Sequence, residues 1–231
     1  MFYYMYNTMI SIRCQTTYAI IPAMKLKNRA AALFGIGIVL FMGYVLYLSL
    51  KPPIDVVIQA GHEGRVRGNT GSETATLREE LWNIQVANTA AKQLEAWGIE
   101  VKRVPADTSL IRAKVAVAIH FDGAKVPCLS GASVGYPDNN ASYTFAQHWK
   151  VLYKPYFPFK WHEDNFTDNL KHYYGFNWIK AKKFVVLELG ELTCPKQTAW
   201  LQPRLEALGK LVAYAIAVEL GKEVPKPKFT L

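Results

Sequence analysis

Four residues combine a reactive side chain with surroundings that give it work to do. They are His62 in Ala-Gly-His-Glu-Gly, Glu79 in Leu-Arg-Glu-Glu-Leu-Trp-Asn, His120 in Ala-Ile-His-Phe-Asp-Gly, and Glu188 in Val-Val-Leu-Glu-Leu-Gly. Two imidazoles and one carboxylate suit Zn²⁺, and three protein ligands leave the fourth position to water, as hydrolytic zinc sites require. Glu188 interrupts an apolar run, where an unpartnered carboxylate is costly. Such an acid serves as a general base when burial and a nearby cation tune its pKa. Each residue also has a plain structural explanation. A lone His after a strand is commonly a hydrogen-bonded turn residue, Glu79 suits the amino terminus of a helix, and Glu188 could partner a buried Lys or Arg.

The elements needed to gather these residues can be read from the pattern. Residues 54–59 (IDVVIQ) form a buried β-branched run, so His62 follows a strand. A Gly-rich polar loop leads to a helix over 77–97, with Leu81, Ile84, Ala87, Ala91 and Leu94 as its apolar face and Gly98 as its stop. Further strands are expected at 99–104, at 115–119 ending on His120, at 131–136 and at 184–189. Helices are expected over 144–153 and 205–220, the latter burying Leu208, Leu211, Val212, Ala215 and Val218. This alternation implies an α/β fold: a single three-layer domain over 53–221, with a mixed, mostly parallel sheet flanked by helices and a tail at 222–231. In such sheets the carboxyl ends of the strands converge on one crevice, the place His62, His120 and Glu188 would share. The aromatic stretch 136–183 gives no clear periodicity and reads as a wall of that crevice.

Ahead of the domain, residues 30–50 (AAALFGIGIVLFMGYVLYLSL) are 21 residues without a charge, enough to span a bilayer as a helix. Lys25, Lys27 and Arg29 precede it, so residues 1–29 should stay cytoplasmic and the domain should lie on the periplasmic or extracytoplasmic side. No small-residue cleavage pattern follows, which favours an uncleaved anchor over a removed signal peptide. Met24 opens the more ordinary sequence and is the expected natural start. The chain carries a formal charge of +9, and 51% of its residues are hydrophobic. That excludes a disordered chain and suits an anionic surface. Nucleic acid is not indicated, because basic residues do not run together with interleaved aromatics. Cys128 and Cys194 are open to either a bridge or two buried thiols.

The order of these motifs resembles that of the zinc-dependent N-acetylmuramoyl-L-alanine amidases called amidase 3, over 56–220. The matching residues are Gly61-His62-Glu63-Gly64, Glu79 with Asn83 and Ala87 at helical spacing, Ala118-Ile119-His120 and Leu187-Glu188-Leu189-Gly190. The resemblance implies Zn²⁺ held by His62, Glu79 and His120, with Glu188 catalytic. It also implies peptidoglycan as substrate, cut between N-acetylmuramic acid and L-alanine. Glu79 fits the spacing and its neighbour Glu80 does not. The chain departs from the family at Glu63, where Gly is usual, and at Phe121-Asp122, where Asn-Ala is usual; all three are expected to line the cleft. Glu191 is expected at the surface or behind the ligands. His148 is expected on a surface helix, and His162, His172 and the aromatics Trp161, Tyr173, Tyr174, Phe176 and Trp178 are expected to pack, with contact to glycan as the alternative. The competing readings are a non-catalytic wall-binding module, which would purify without zinc, and a zinc hydrolase of another amide.

Overall fold

A computed structural model describes residues 23–50 and 52–228, with side chains for Ala31, 33–45 and 52–228. The chain divides into two compact units, Met1–Lys51 and Pro52–Leu231.

In the first unit, helix α1 covers Ala23–Leu50, and the described side chains Leu33, Phe34 and Val39–Val45 are exposed. Among the described residues no helix is long and apolar enough to cross a membrane. The stretch 33–45 is shorter than the roughly 20 residues a span needs. The expected span 30–50 falls partly outside the described side chains. The expected cytoplasmic stretch 1–29 has no described side chains, and its residues 1–22 lie wholly outside the described residues.

The second unit is built on five strands: β1 (Ile54–Ala60), β2 (Val101–Val104), β3 (Ile111–Asp122), β4 (Ala132–Gly135) and β5 (Ile179–Glu191). They lie in the order β2-β1-β3-β5-β4, all parallel except β4, which runs antiparallel to β5. The three central strands are buried on both faces where Val, Ile and Ala dominate, as parallel strands between helical layers must be. Helices α2 (Glu79–Ala96), α3 (Asn140–Tyr153) and α7 (Leu205–Glu219) cover one face around Val56, Ile58, Val117 and Leu187. The one-turn helices α4 (Asp168–Lys171) and α5 (Gly175–Trp178) cover the other, where Val57, Ala116 and Phe184 meet Leu170 and Tyr173. Helix α6 (Pro195–Leu201) and a 3-10 turn (Gln202–Arg204) lead into α7.

The expected α/β layering is found, with its boundaries moved. Strands β3 and β5 start earlier than the apolar runs, because Arg112, Lys114, Lys180 and Lys182 alternate with inward residues and hide the strand pattern. Strand β3 also runs on to Asp122, so His120 lies within it rather than after it. The buried face of α2 is also rotated: Trp82, Val86 and Ala90 point inward, whereas Leu81 is 53% exposed. The sheet and α7 together set that face, and the helix is too Ala-rich for its own pattern to fix it. On α7 the expected core residue Val218 is turned outward.

Candidate metal centre

His62 stands two residues past β1 with φ at 62°, a left-handed conformation uncommon outside glycine and associated with functional constraint. The backbone bond from Gly61 N–H to the Ile119 carbonyl, 2.9 Å, ties this turn to β3. Gly61 has to be glycine: a Cβ there would lie 2.2 Å from Cε1 of His120. His120 comes from β3. Its cross-strand partner on β5 is Glu188, and the register slips just beyond, so that Asp122 faces Glu191. Glu79 is the first residue of α2, and its side chain is gripped on several sides. Oε2 accepts from Ser72 N–H at 2.7 Å, while Oε1 accepts from Asn83 Nδ2 at 3.1 Å and Phe121 N–H at 3.2 Å.

Three side-chain atoms converge. Glu79 Oε1 lies 3.2 Å from His62 Nε2 and 3.1 Å from His120 Nδ1, and all three residues are buried. The hydrogen-bond network fixes what those atoms can be. His62 Nδ1 lies 2.9 Å from the Asn69 carbonyl, which can only accept, so Nδ1 carries the proton and Nε2 offers a lone pair. On the other ring the tautomer is set through two partners in series. Gln59 donates through Nε2 to the Ala106 carbonyl at 2.7 Å, so its Oε1 must accept from the Tyr173 hydroxyl at 2.8 Å. That hydroxyl therefore accepts from His120 Nε2–H at 3.0 Å, and Nδ1 of His120 is left as the lone pair. Two imidazole lone pairs and a carboxylate oxygen thus face one another. A proton on His62 would satisfy one contact and leave His120 Nδ1 opposed to Glu79 Oε1. One divalent cation of borderline softness satisfies all three, and the donor set is that of hydrolytic zinc. The second ring nitrogens are each committed to an oxygen, the usual support for metal-ligating His.

Electrostatics in the absence of a cation set the two rings apart. Burial opposes ionisation of Glu79 most strongly, yet its contacts with the His120 and His62 rings outweigh it and hold the carboxyl far below its ordinary range. Burial pushes His120 down, favouring the neutral ring that a metal needs. His62 moves up, because its contact with Glu79 outweighs the opposing effect of burial.

Glu188 belongs to the same cavity, a cleft of about 460 Å³ that the three residues also line. Its residue surface is only half-buried, but Oε2 is shielded from solvent and has no hydrogen-bond partner. Burial, then the charges of Glu79 and Asp122, push its pKa well above the usual carboxylate range. It has no Lys or Arg partner among the described ion pairs, so the partnered-acid explanation does not hold.

Other expectations are redistributed. Phe121 and Asp122 line the cleft as expected, but Glu63 does not; it pairs with Arg103 at 2.5 Å and braces the loop after β1 against β2. Glu80 bonds Arg78 and Gly64, away from the centre. Glu191 is fully buried rather than superficial, accepting from Cys128 N–H, Ser130 N–H and the Thr193 hydroxyl. It anchors the loop whose Cys128 is bridged to Cys194. His162 stacks on Phe166, and His148 pairs with Glu219, as packing and surface residues. His172 and Tyr174 stand on the cleft wall. Tyr173 and Gln59 are the functional residues that the sequence hides. A Tyr among many aromatics carries no mark, although a Gln after the apolar run Val56-Val57-Ile58 is a visible anomaly.

A family model described as N-acetylmuramoyl-L-alanine amidase matches residues 56–218. No curated protein matches the sequence. Among solved structures, the catalytic domain of CwlV, an amidase of that description from Bacillus (Paenibacillus) polymyxa var. colistinus, superimposes with a TM-score of 0.58 at 20% identity, covering 74% of this chain and 99% of that one. An amidase of Nostoc punctiforme gives 0.57 at 16% identity over 73% and 98%. Another, from Clostridium difficile 630, gives 0.55 at 21% over 74% and 99%. At these identities the superpositions establish a shared fold.

Proposed function

The chain belongs to the N-acetylmuramoyl-L-alanine amidase family, and from that premise we propose that it hydrolyses the amide between N-acetylmuramic acid and L-alanine in peptidoglycan, with Zn²⁺ held by His62, Glu79 and His120. The observation that carries this reading is the convergence of the three donor atoms, all within 4.8 Å of one another, with lone pairs turned inward. When bound, the cation lowers the pKa of its water to around 7 and polarises the amide carbonyl.

The chain's own residues supply the rest. Asn69 and Tyr173 hold the two imidazoles in their tautomers, and Ser72, Asn83 and the Phe121 N–H hold the carboxylate of Glu79. Glu188 faces the same cleft and takes a proton from the attacking water. The water oxygen joins the amide carbon, the carbon–nitrogen bond breaks, and Glu188 returns the proton to the leaving amine of alanine. A carboxyl whose surroundings already favour protonation is suited to holding that proton between the two transfers.

We place the domain on a membrane tether through residues 30–50. The support is the uncharged run of 21 residues with Lys25, Lys27 and Arg29 before it.

The test uses the full chain on purified wall. Wild type should contain one equivalent of zinc and release stem peptides with free amino-terminal alanine. Glu188→Gln should keep its zinc while hydrolysis falls by roughly 10²–10⁴-fold, the usual worth of a general base. His62→Ala should lose both metal and activity. Full activity in Glu188→Gln, or release of a different amino terminus, would refute the assignment.

A further inference from the structure

Hydrolysis as described leaves one fixed charge of the cleft unused. The acids of the cleft wall are Glu79, Asp122 and Glu188, and among its described residues Arg65 is the only Lys or Arg. Arg65 lies in the loop after β1, and its guanidinium is held in place from three directions. Nη2 donates to Asp107 Oδ1 at 2.9 Å, Nη1 donates to the Asn69 carbonyl at 3.4 Å, and the group lies 4.6 Å from the centre of the Tyr174 ring. Tyr174 is pinned in turn, its hydroxyl donating to the Ala106 carbonyl at 2.7 Å. The Arg65 side chain is 16% exposed, whereas that of Asp107 is 77% exposed. These contacts use two of the five guanidinium N–H donors, and the others have no hydrogen bond within the described protein.

A guanidinium fixed in this way suits a carboxylate, which it grips through two parallel N–H bonds. The position of Arg65 says which carboxylate. The Asn69 carbonyl that accepts from Arg65 also lies 2.9 Å from His62 Nδ1, so a single oxygen stands between the guanidinium and a candidate metal ligand. A carboxylate held there is within about one residue of the bond to be cut. In an extended peptide, the carboxyl carbon of the residue after alanine lies about 6 Å from the alanine nitrogen. On the glycan side the carboxyl of N-acetylmuramic acid is spent in the scissile amide, so free carboxylates are confined to the peptide.

We infer that Arg65 is a specificity determinant for the leaving peptide: it binds the free α-carboxylate of the residue that follows alanine and sets the peptide on the His62 side of the cleft. The inference rests on the amidase reading given above. That second residue is a glutamate joined onward through its side chain, with its α-carboxyl either free or capped as an amide. Arg65 distinguishes the two, because the amide has no charge and turns an N–H donor toward the donors of the fork.

The experiment uses the full chain and two soluble disaccharide–peptide substrates that differ only in this α-carboxyl, free in one and amidated in the other. Released amino termini give the rates, and zinc content is measured alongside. Wild type should show a kcat/KM about 10–100-fold higher for the free acid, the worth of a charge-assisted pair. Most of the difference should lie in KM, as for a contact made equally before and during reaction. Arg65→Gln should cut the two substrates at comparable rates, and Arg65→Lys, which keeps the charge without the fork, should fall between. Equal handling of the two substrates by wild type overturns the inference and leaves the amidase reading standing. A preference that survives in Arg65→Gln also overturns it, since another group then reads the carboxylate. An Arg65→Gln protein that has lost zinc and cuts neither substrate makes Arg65 a brace of the metal centre through Asn69, and overturns the binding role. Hydrolysis of neither substrate by wild type overturns the amidase reading, and this inference falls with it.

Discussion

The two imidazoles of the candidate metal centre are set by groups that never touch their inward nitrogens. Tyr173 decides which nitrogen of His120 faces inward, and Gln59, locked by the Ala106 carbonyl, decides which way the Tyr173 hydroxyl points. Removing the hydroxyl alone isolates this effect. Tyr173→Phe keeps the ring that packs edge-on against His120 at 5.5 Å, but strands its Nε2–H. Zinc affinity should fall about 10–100-fold, the usual worth of such outer partners, as read by competition with a chromogenic chelator. The melting temperature of the metal-free protein should hardly move; unchanged affinity would show that His120 is oriented by packing alone. The candidate ligands themselves were legible in the sequence because each follows a strand, lies near the end of one or opens a helix in a short motif. Tyr173 was not, because its partner Gln59 lies 114 positions away and only the fold brings them together.

At the scale of elements, two devices hold the helices and loops against one another. Helices α2 and α7 pack at Gly209, where a Cβ would come within 2.6 Å of Thr89 Cβ and 2.8 Å of the Val86 carbonyl oxygen. The carbonyl is backbone and cannot yield, so Gly209→Ala should force the helices apart at a cost of about 1–3 kcal/mol. Thermal unfolding should show a melting temperature several degrees lower with zinc content at 25 °C retained. The second device is the Cys128–Cys194 bridge, spanning 66 positions, with buried Glu191 tying down the same loop. Reduction should destabilise the domain by about 2–4 kcal/mol, measured as a shift in denaturant midpoint with and without reductant. Whether the thiols paired could not be read from the sequence, since spacing says nothing of Cα separation. The core strands were readable because β-branched runs between two helical layers need no alternation. The outer halves of β3 and β5 were not, because lysines at every second position resemble a solvated loop until the register shows them sharing one face.

For the molecule as a whole, the centre does more than chemistry. Its three donors come from the turn after β1, the start of α2 and the far end of β3, so one cation held by all three would link parts of the chain separated by 58 residues. In the unfolded chain those donors are independent and bind weakly, and so the free energy of metal binding becomes stability of the fold. With free zinc a thousandfold above its dissociation constant, the gain is about 4 kcal/mol. In a domain of this size each kcal/mol shifts the melting temperature by roughly 2–4 °C. Chelation should therefore lower the melting temperature of the wild type by about 8–16 °C, and readdition of zinc should restore it. His120→Ala supplies the control: lacking a donor, it should melt at the same temperature with and without chelator. A wild-type protein insensitive to chelator would mean that the three donors do not share an ion, whatever its activity. The prediction separates a centre that organises the domain from one that merely decorates it, because only the first couples β1, α2 and β3 in a single cooperative transition.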